Sequence, residues 1–216
     1  MTVMQIVKQL FGSMGITMEI FFVTLITSLI LGLGLALVRM SKNPILSIIA
    51  KFYISVMRGT PLMLQLLVVY FGPFFIFGMQ ITPSYRLKAV LIGFALNYAA
   101  YFAEIYRSGI AAIPVGQYEA ARMLGYSKTQ TFAYIVMPQV IKRIIPPVAN
   151  ETITLVKDTS LAFTISVLEM FSIAKALASS QTSMIPFVAA GLFYYIFNLV
   201  VAVVMEWIEK KLSYYE

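Results

Sequence analysis

The sequence predicts an all-α integral membrane protein with five transmembrane helices, and three observations carry that prediction. First, 60% of the 216 residues are hydrophobic and only 12% are charged, whereas a soluble domain averages about 45–50% apolar and about 25% charged. Second, four stretches reach the roughly 20 mostly apolar residues that a helix needs to cross a bilayer: about 17–39, 59–79, 85–106 and 184–207. Third, the cations sort to one side once a weaker fifth stretch, about 144–167, is admitted.

The first fifteen residues lack the charged start, short apolar core and small-residue cleavage site of a signal peptide. Val3, Ile6, Val7, Leu10 and Phe11 recur at helical spacing and Gly12 follows as a stop, which predicts a short amphipathic helix on the outer surface over 1–15. A frayed extension is the plain alternative. In the first span Gly32 and Gly34 favour close helix packing. Glu19, near its outer end, is either a gate residue or an ordinary interfacial carboxylate. The fourth span opens with Pro146 and Pro147, tolerated in a first helical turn, and then carries an unusual polar load from Asn150 to Ser160.

With five spans and the segment after the first span inside, Arg39, Lys42, Lys51, Arg58, Arg107, Arg122, Lys128, Lys142, Arg143, Lys210 and Lys211 are cytoplasmic. Lys8, Arg86, Lys88 and Lys175 are outside, and Lys157 is buried. The positive-inside rule then predicts an external N-terminus and a cytoplasmic C-terminus. Trp207, Tyr214 and Tyr215 sit where an interfacial belt would hold the last span. The expectation is a single transmembrane domain, 1–216. The net charge of +7 is read by position across the bilayer, and no nucleic-acid partner is expected.

The residue inventory excludes much chemistry. There is no His and no Cys, and Asp158 is the only Asp. An imidazole base, a thiolate nucleophile and an ordinary zinc site are therefore out of reach, and no catalytic or metal-ligating residue is assigned. A two-aspartate intramembrane protease would need one aspartate from each of two chains. No GxxxxGK[ST] phosphate loop occurs, so any nucleotide would be handled by another chain.

The polar residues inside the spans are the informative ones, because a charge at mid-membrane costs about 2.5–3.5 kcal/mol on insertion scales and must face protein or water. Asn97, Tyr101, Glu104 and Ser108 fall at i, i+4, i+7 and i+11, one stripe of the third span. Glu151, Thr154 and Asp158 share a face of the fourth. A pathway between the stripes could carry a zwitterion, with hydroxyls and amides for its ends and carboxylates for an ammonium or guanidinium. Asn97, Tyr101, Glu104, Glu151, Thr154 and Asp158 are the candidate substrate-binding residues. For Glu104 and Lys157 a structural ion pair between helices is the competing reading. Lys157 and Asp158 lie about 100° apart around a helix, so each is expected to meet another helix, a second subunit or a ligand.

Between the third and fourth spans runs EAARMLGYSKTQTFAYIVMP, Glu119 to Pro138. Gln117 to Leu124 is rich in helix formers, Gly125 lies where a left-handed cap would close a two-turn helix, and a second short run, Lys128 to Val136, is expected to end before Pro138. A short helix held across the membrane axis suits a knob that docks in a partner's groove; a solvated loop is the alternative.

This stretch resembles the EAA loop of binding-protein-dependent ABC importers: Glu119, Ala120 and Ala121, then Gly125, Ile135 and Pro138 at the family spacing, with Met137 in place of the usual Leu. RGTPLMLQL (58–66), NYAAYFAEIYRSGI (97–110) and KDTSLAFTIS (157–166) look like the polar amino acid uptake branch, the histidine, glutamine, glutamate, arginine and opine permeases. The resemblance covers about 17–207 and implies a MetI-like type I permease core whose EAA loop, with Glu119, Ala120, Ala121, Gly125 and Pro138, seats in an ATP-binding subunit. It also implies the partners: two ATP-binding cassette subunits that hold ATP and Mg, a second permease subunit (a copy or a paralogue), an extracytoplasmic binding protein and the lipid bilayer. The function implied is uptake of polar amino acids by ATP-driven alternating access, and the membrane carboxylates lean it towards the arginine, histidine and lysine type. An ion-coupled secondary transporter or channel is the rival, and it predicts an internally repeated hydropathy pattern that five spans with one off-centre loop do not show.

Overall fold

A computed structural model of the chain describes residues 1–212, all of whose regular structure is helical. Trp207 is exposed with Lys211 above its ring; Tyr214 and Tyr215, expected to share its belt, lie outside the described residues. Three helices are long and apolar enough to cross a membrane, and up to five crossings result if each of two bent pairs is one span.

The first helix, α1 (Val3–Arg39), is continuous, which corrects the separate surface helix expected over 1–15. Gly12 and Gly15 do not stop it. An interior glycine costs only about 1 kcal/mol relative to Ala, and in hydrocarbon an interrupted backbone would leave polar groups unpaired. Thr2 and Gln5 cap its start in a reciprocal box, and Ile6 and Leu10 are buried with Met170, Ala174 and Leu177 of a later helix.

The chain then turns into α2 (Pro44–Gly59), with Asn43 Oδ1 accepting from the backbone of Ile45 and Leu46 at 3.0 and 3.4 Å and Pro44 opening the helix. At Thr60–Pro61 the backbone becomes extended and α3 (Leu62–Phe77) departs at 111° to α2. The expected span at 59–79 is thus α3, with an elbow at its start. Gln65 Nε2 ties the elbow by donating to Met57 O at 2.9 Å and Thr60 Oγ1 at 2.8 Å.

The central helix is α4 (Tyr85–Ala111). Its Phe94, Tyr98 and Phe102 are buried among Ile20 and Phe21 of α1, Leu66 and Tyr70 of α3, and Leu155 and Val156 further on. Gly32 lets α1 lie directly on α4: a Cβ there would stand 2.8 Å from Phe102 Cβ and 3.1 Å from Ala99 O. Gly34, expected to help, faces open space.

After α4 come α5 (Val115–Met123) and α6 (Lys128–Gln130), which passes through a π-helical stretch, Thr131–Val136, into α7 (Met137–Asp158). The expected break before Pro138 does not occur. Pro138 falls where the π-helical stretch passes into α7 and the i→i−4 ladder is already interrupted, and Met137 keeps helical angles. Pro146 and Pro147 likewise lie inside α7 rather than at its start. The helix tightens to a 3₁₀ stretch, Thr159–Ile165, and ends at Ser166 with φ +59°. There α8 (Met170–Gln181) turns away by 59°, so the expected span at 144–167 is the end of α7 plus this 3₁₀ turn. Glu169, fully buried, caps α8: its carboxylate accepts from the backbone of Phe171 and Ser172 at 2.6 and 2.7 Å and from Tyr194 Oη at 2.9 Å. The last helix is α9 (Ile185–Leu212).

Candidate functional site

The elbow between α2 and α3 opens a cavity of about 250 Å³ against α4 and α7. Thr60, Pro61 and Leu62 form one wall, Asn97, Tyr98 and Tyr101 of α4 a second, and Glu151, Thr154 and Asp158 of α7 the third. Five of the six residues picked as substrate-binding in the sequence are thus brought together: Asn97, Tyr101, Glu151, Thr154 and Asp158.

Each wall is fixed by a specific bond. Asn97 Nδ2 donates to Met57 O at 3.0 Å and to Gln65 Oε1 at 2.9 Å, so the amide is spent on holding the elbow against α4. That satisfies the need of an amide in hydrocarbon for a partner. Tyr98 Oη donates to Asp158 Oδ2 at 2.7 Å, within the range of a short charge-assisted bond, and joins α4 to α7. Thr154 Oγ1 donates to Asn150 O at 2.9 Å, one turn back along its own helix. The guanidinium of Arg58 sits over the Tyr101 ring, 5.3 Å from its centre, within cation–π range.

Glu104 stands apart. It is absent from the cavity wall and accepts from Arg107 Nε at 2.9 Å and Nη2 at 2.5 Å. The alternative Glu104–Lys157 ion pair does not form, because a partner three residues on the same helix is closer to hand. Lys157 is exposed, as is Glu19, so among the described residues neither meets the partner weighed for it.

Sequence reasoning missed Tyr98, Thr60, Pro61 and Arg58. Tyr98 reads as a core aromatic, and its hydroxyl partner lies sixty residues away. The Thr60–Pro61 elbow had a local signal, since the residue before a proline is pushed to extended geometry.

What the cavity can do is bind. It presents two carboxylates, two threonine hydroxyls and aromatic faces, with one cation at its edge. That arrangement suits a small solute carrying a positive end group, and it contains no nucleophile–base pair for covalent chemistry.

The second site is the segment between α4 and α7. Gly125 has φ +82°, and Tyr126 N–H donates to Ala121 O at 3.0 Å while Leu124 N–H donates to Ala120 O at 3.1 Å, the left-handed cap anticipated for α5. Ala121 is buried, whereas Glu119, Ala120, Gly125 and Pro138 are exposed. Met123 and Leu124 are 88% and 76% exposed, a protruding apolar tip. Tyr118 anchors the base of α5 against Ile113, Val136 and Val140. Arg143 Nη1 donates to Ala112 O at 2.8 Å and Gln139 Nε2 to Gln117 Oε1 at 3.2 Å, binding α7 to the end of α4 and to α5.

Comparison with known proteins places these features in context. Residues 28–214 match the family described as binding-protein-dependent transport system inner membrane component. Among its relatives, a probable amino-acid ABC transporter permease protein, YckA, of Bacillus subtilis is 40% identical over 93% of this chain and 88% of its own length. The arginine transport system permease protein ArtQ of the same organism is 39% identical over 93% and 90%, and the octopine transport system permease protein OccM of Rhizobium radiobacter is 38% identical over 90% and 82%. Among solved structures, an amino acid ABC transporter crystallised with histidines matches with a TM-score of 0.87 at 31% identity, covering 98% of this chain and 99% of that one. The MetNI methionine transporter in an inward-facing form shares the fold, with a TM-score of 0.78 at 16% identity over 95% and 96% of the two chains.

Proposed function

The chain belongs to the family of binding-protein-dependent transport system inner membrane components, and on that premise we propose that it is the permease subunit of an ABC importer for polar, cationic amino acids of the arginine, histidine or lysine type. One observation carries the reading: residues from α4 and α7, far apart in sequence, meet at one cavity that holds two carboxylates, Glu151 and Asp158. The carboxylates face the side-chain cation of the substrate, and Arg58, poised over Tyr101, receives its α-carboxylate. Relatives named for arginine and octopine are consistent with this choice, others are named for glutamine and cystine, and the two carboxylates are what supports the cationic reading.

The chain crosses a bacterial inner membrane five times, with its N-terminus outside and its C-terminus in the cytoplasm. The clustering of cations in the segments after the first and third spans and in the tail supports this orientation. The permease works as a pair, with a second copy or a paralogue, between an extracytoplasmic binding protein and two ATP-binding subunits. ATP and Mg, bound by those subunits, supply the free energy that separates inward-facing from outward-facing states.

The chain's own part is mechanical. The α5 knob, with Glu119, Ala120, Ala121 and Gly125 and with Pro138 behind it, docks in the ATP-binding subunit through its exposed apolar tip. Its Gln117 accepts from Gln139 at the start of α7, and Arg143 of α7 donates in turn to Ala112 O at the end of α4. Arg143 is level with Ala112 and Asp158 with Tyr98, so the levers from Ala112 back to Tyr98 and from Arg143 on to Asp158 are fourteen and fifteen residues, about 21 and 23 Å at 1.5 Å per residue. A displacement of α5 therefore reaches both walls of the cavity at the same depth. The Tyr98–Asp158 bond makes them move together or part. Alternation requires only that substrate bind one arrangement better than the other.

The test is stimulation of ATP hydrolysis, and uptake into vesicles, by the permease assembled with its ATP-binding subunits and measured over a panel of amino acids. Arginine, histidine or lysine should stimulate most strongly. Equal or greater response to glutamate or cystine would overturn the cationic assignment.

A further inference from the structure

A second cavity, of about 340 Å³, lies on the opposite side of α4 from the substrate walls, between α1, α2 and α4. Leu31, Leu35 and Val38 form its α1 side at i, i+4 and i+7, Ile49 and Tyr53 its α2 side, and Ala99 its floor. Its lining exposes almost no polar surface. The one polar side chain, Tyr53, is already spent, its Oη donating to Leu96 O at 2.9 Å. Only hydrocarbon fits such a lining, because any polar group placed there would go unpaired.

The ends of the groove differ. Where α1 stops and α2 begins, beside Val38 and Leu46, stand Arg39, Ser41, Lys42 and Ser47. Arg39 Nη1 donates to Ser47 Oγ at 3.1 Å, and Ser47 Oγ donates back to Arg39 O at 2.8 Å, so the guanidinium is held at the mouth of the groove. Between Glu19 and Glu104 the sequence contains no acidic residue at all. Glu104, whose carboxylate feels the field of Arg39, is doubly bonded to Arg107. Among the described residues neither Arg39 nor Lys42 has a carboxylate partner. The outer face of α2 continues the theme, with Ile45, Ile48 and Phe52 each at least 65% exposed and Lys51 beside them. An apolar trough with two cations at one end, neither in a salt bridge among the described residues, is complementary to one molecule in a bilayer.

We propose that the α1–α2–α4 groove binds an anionic phospholipid, an acyl chain lying along Leu31, Leu35 and Ile49 and the phosphate held by Arg39 and Lys42. The lipid braces α2 against α1 and α4, and through the Thr60–Pro61 elbow it braces the wall of the substrate cavity. Juxtamembrane cations contribute about 1 kcal/mol each towards anionic lipid, so two of them give a preference of roughly thirtyfold over a zwitterionic lipid.

The test uses the full chain purified in detergent, titrated with dioleoyl phosphatidylglycerol or dioleoyl phosphatidylcholine, and read by native mass spectrometry and by thermal stability. The wild type should retain phosphatidylglycerol in preference by that factor and melt later in its presence. R39Q/K42Q should lose the preference, R39K/K42R should keep it, and L31W should fill the trough and abolish retention of either lipid. Equal retention of the two lipids by the wild type, or undiminished phosphatidylglycerol retention by L31W, would overturn the proposal. So would a second copy of the chain, rather than lipid, found covering this face. None of these outcomes bears on substrate choice, which is measured separately at the other cavity.

Discussion

Asp158→Asn is the perturbation that the cavity geometry makes most informative. The substitution keeps the shape of the side chain and leaves an oxygen able to accept from Tyr98 Oη, now 2.7 Å from Oδ2. What it removes is the charge, together with the second carboxylate oxygen that Tyr98 leaves open to a ligand. A hydrogen bond to a charged group is worth about 1.5–3 kcal/mol, and each 1.4 kcal/mol is a factor of ten in affinity. Arginine binding to the purified permease, measured by titration calorimetry without the binding protein, should therefore weaken by about tenfold to a hundredfold. Citrulline, which replaces the guanidinium by a neutral urea of nearly the same shape, should change by less than about threefold. Equal weakening of both ligands would mean that Asp158 shapes the cavity without reading charge, and the cationic assignment would fall with it.

Three further outcomes follow from the same geometry. Gly32→Ala should lower stability by about 1–3 kcal/mol, since its Cβ meets Phe102 and Ala99 of α4 at 2.8 and 3.1 Å; Gly34→Ala, with nothing within 4 Å, should be neutral or stabilising by up to about 1 kcal/mol, and thermal unfolding of the pair in detergent separates the two. Gly125→Asp forces a side chain onto φ +82° at a cost of about 1–2 kcal/mol and adds charge beside the apolar tip, so substrate-stimulated ATP hydrolysis should vanish while membrane insertion, followed by fractionation and circular dichroism, is retained. Glu169→Leu strips the cap from α8 and leaves Tyr194 without its acceptor; a loss of at least about 2 kcal/mol is expected, and an unchanged melting temperature would remove Glu169 from the account.

How much of this was legible in the sequence depended on whether the signal was local. Hydropathy located the three long apolar helices, α1, α4 and α9, because a bilayer sets a minimum length on any crossing helix. The stripe of Asn97 and Tyr101 and the face of Glu151, Thr154 and Asp158 were legible because helical periodicity alone puts them in line. Gly125 was readable as a cap because a left-handed residue selects glycine. What failed was the reading of breaks. Gly12 and Pro138 are punctuation in water, yet both lie in continuous helix here, one sustained by burial of Ile6 and Leu10 and the other placed where a π-helical stretch already interrupts the i→i−4 ladder. Glu104 lies outside the cavity wall, because a sequence stripe does not say which of two partners wins and Arg107 is three residues away. Tyr98 and the Glu169–Tyr194 bond were invisible for the opposite reason: the partners are distant in sequence, and only the packed bundle brings them together.

The most direct test is a cryo-electron microscopy map of the assembled transporter in the presence of arginine. Density for the amino acid should lie between Asn97, Tyr101, Thr154 and the elbow at Thr60, with the guanidinium within about 4 Å of Glu151 or Asp158 and the α-carboxylate towards Arg58. Arginine resolved elsewhere along the pathway, with this cavity closed or filled by side chains, would contradict the account.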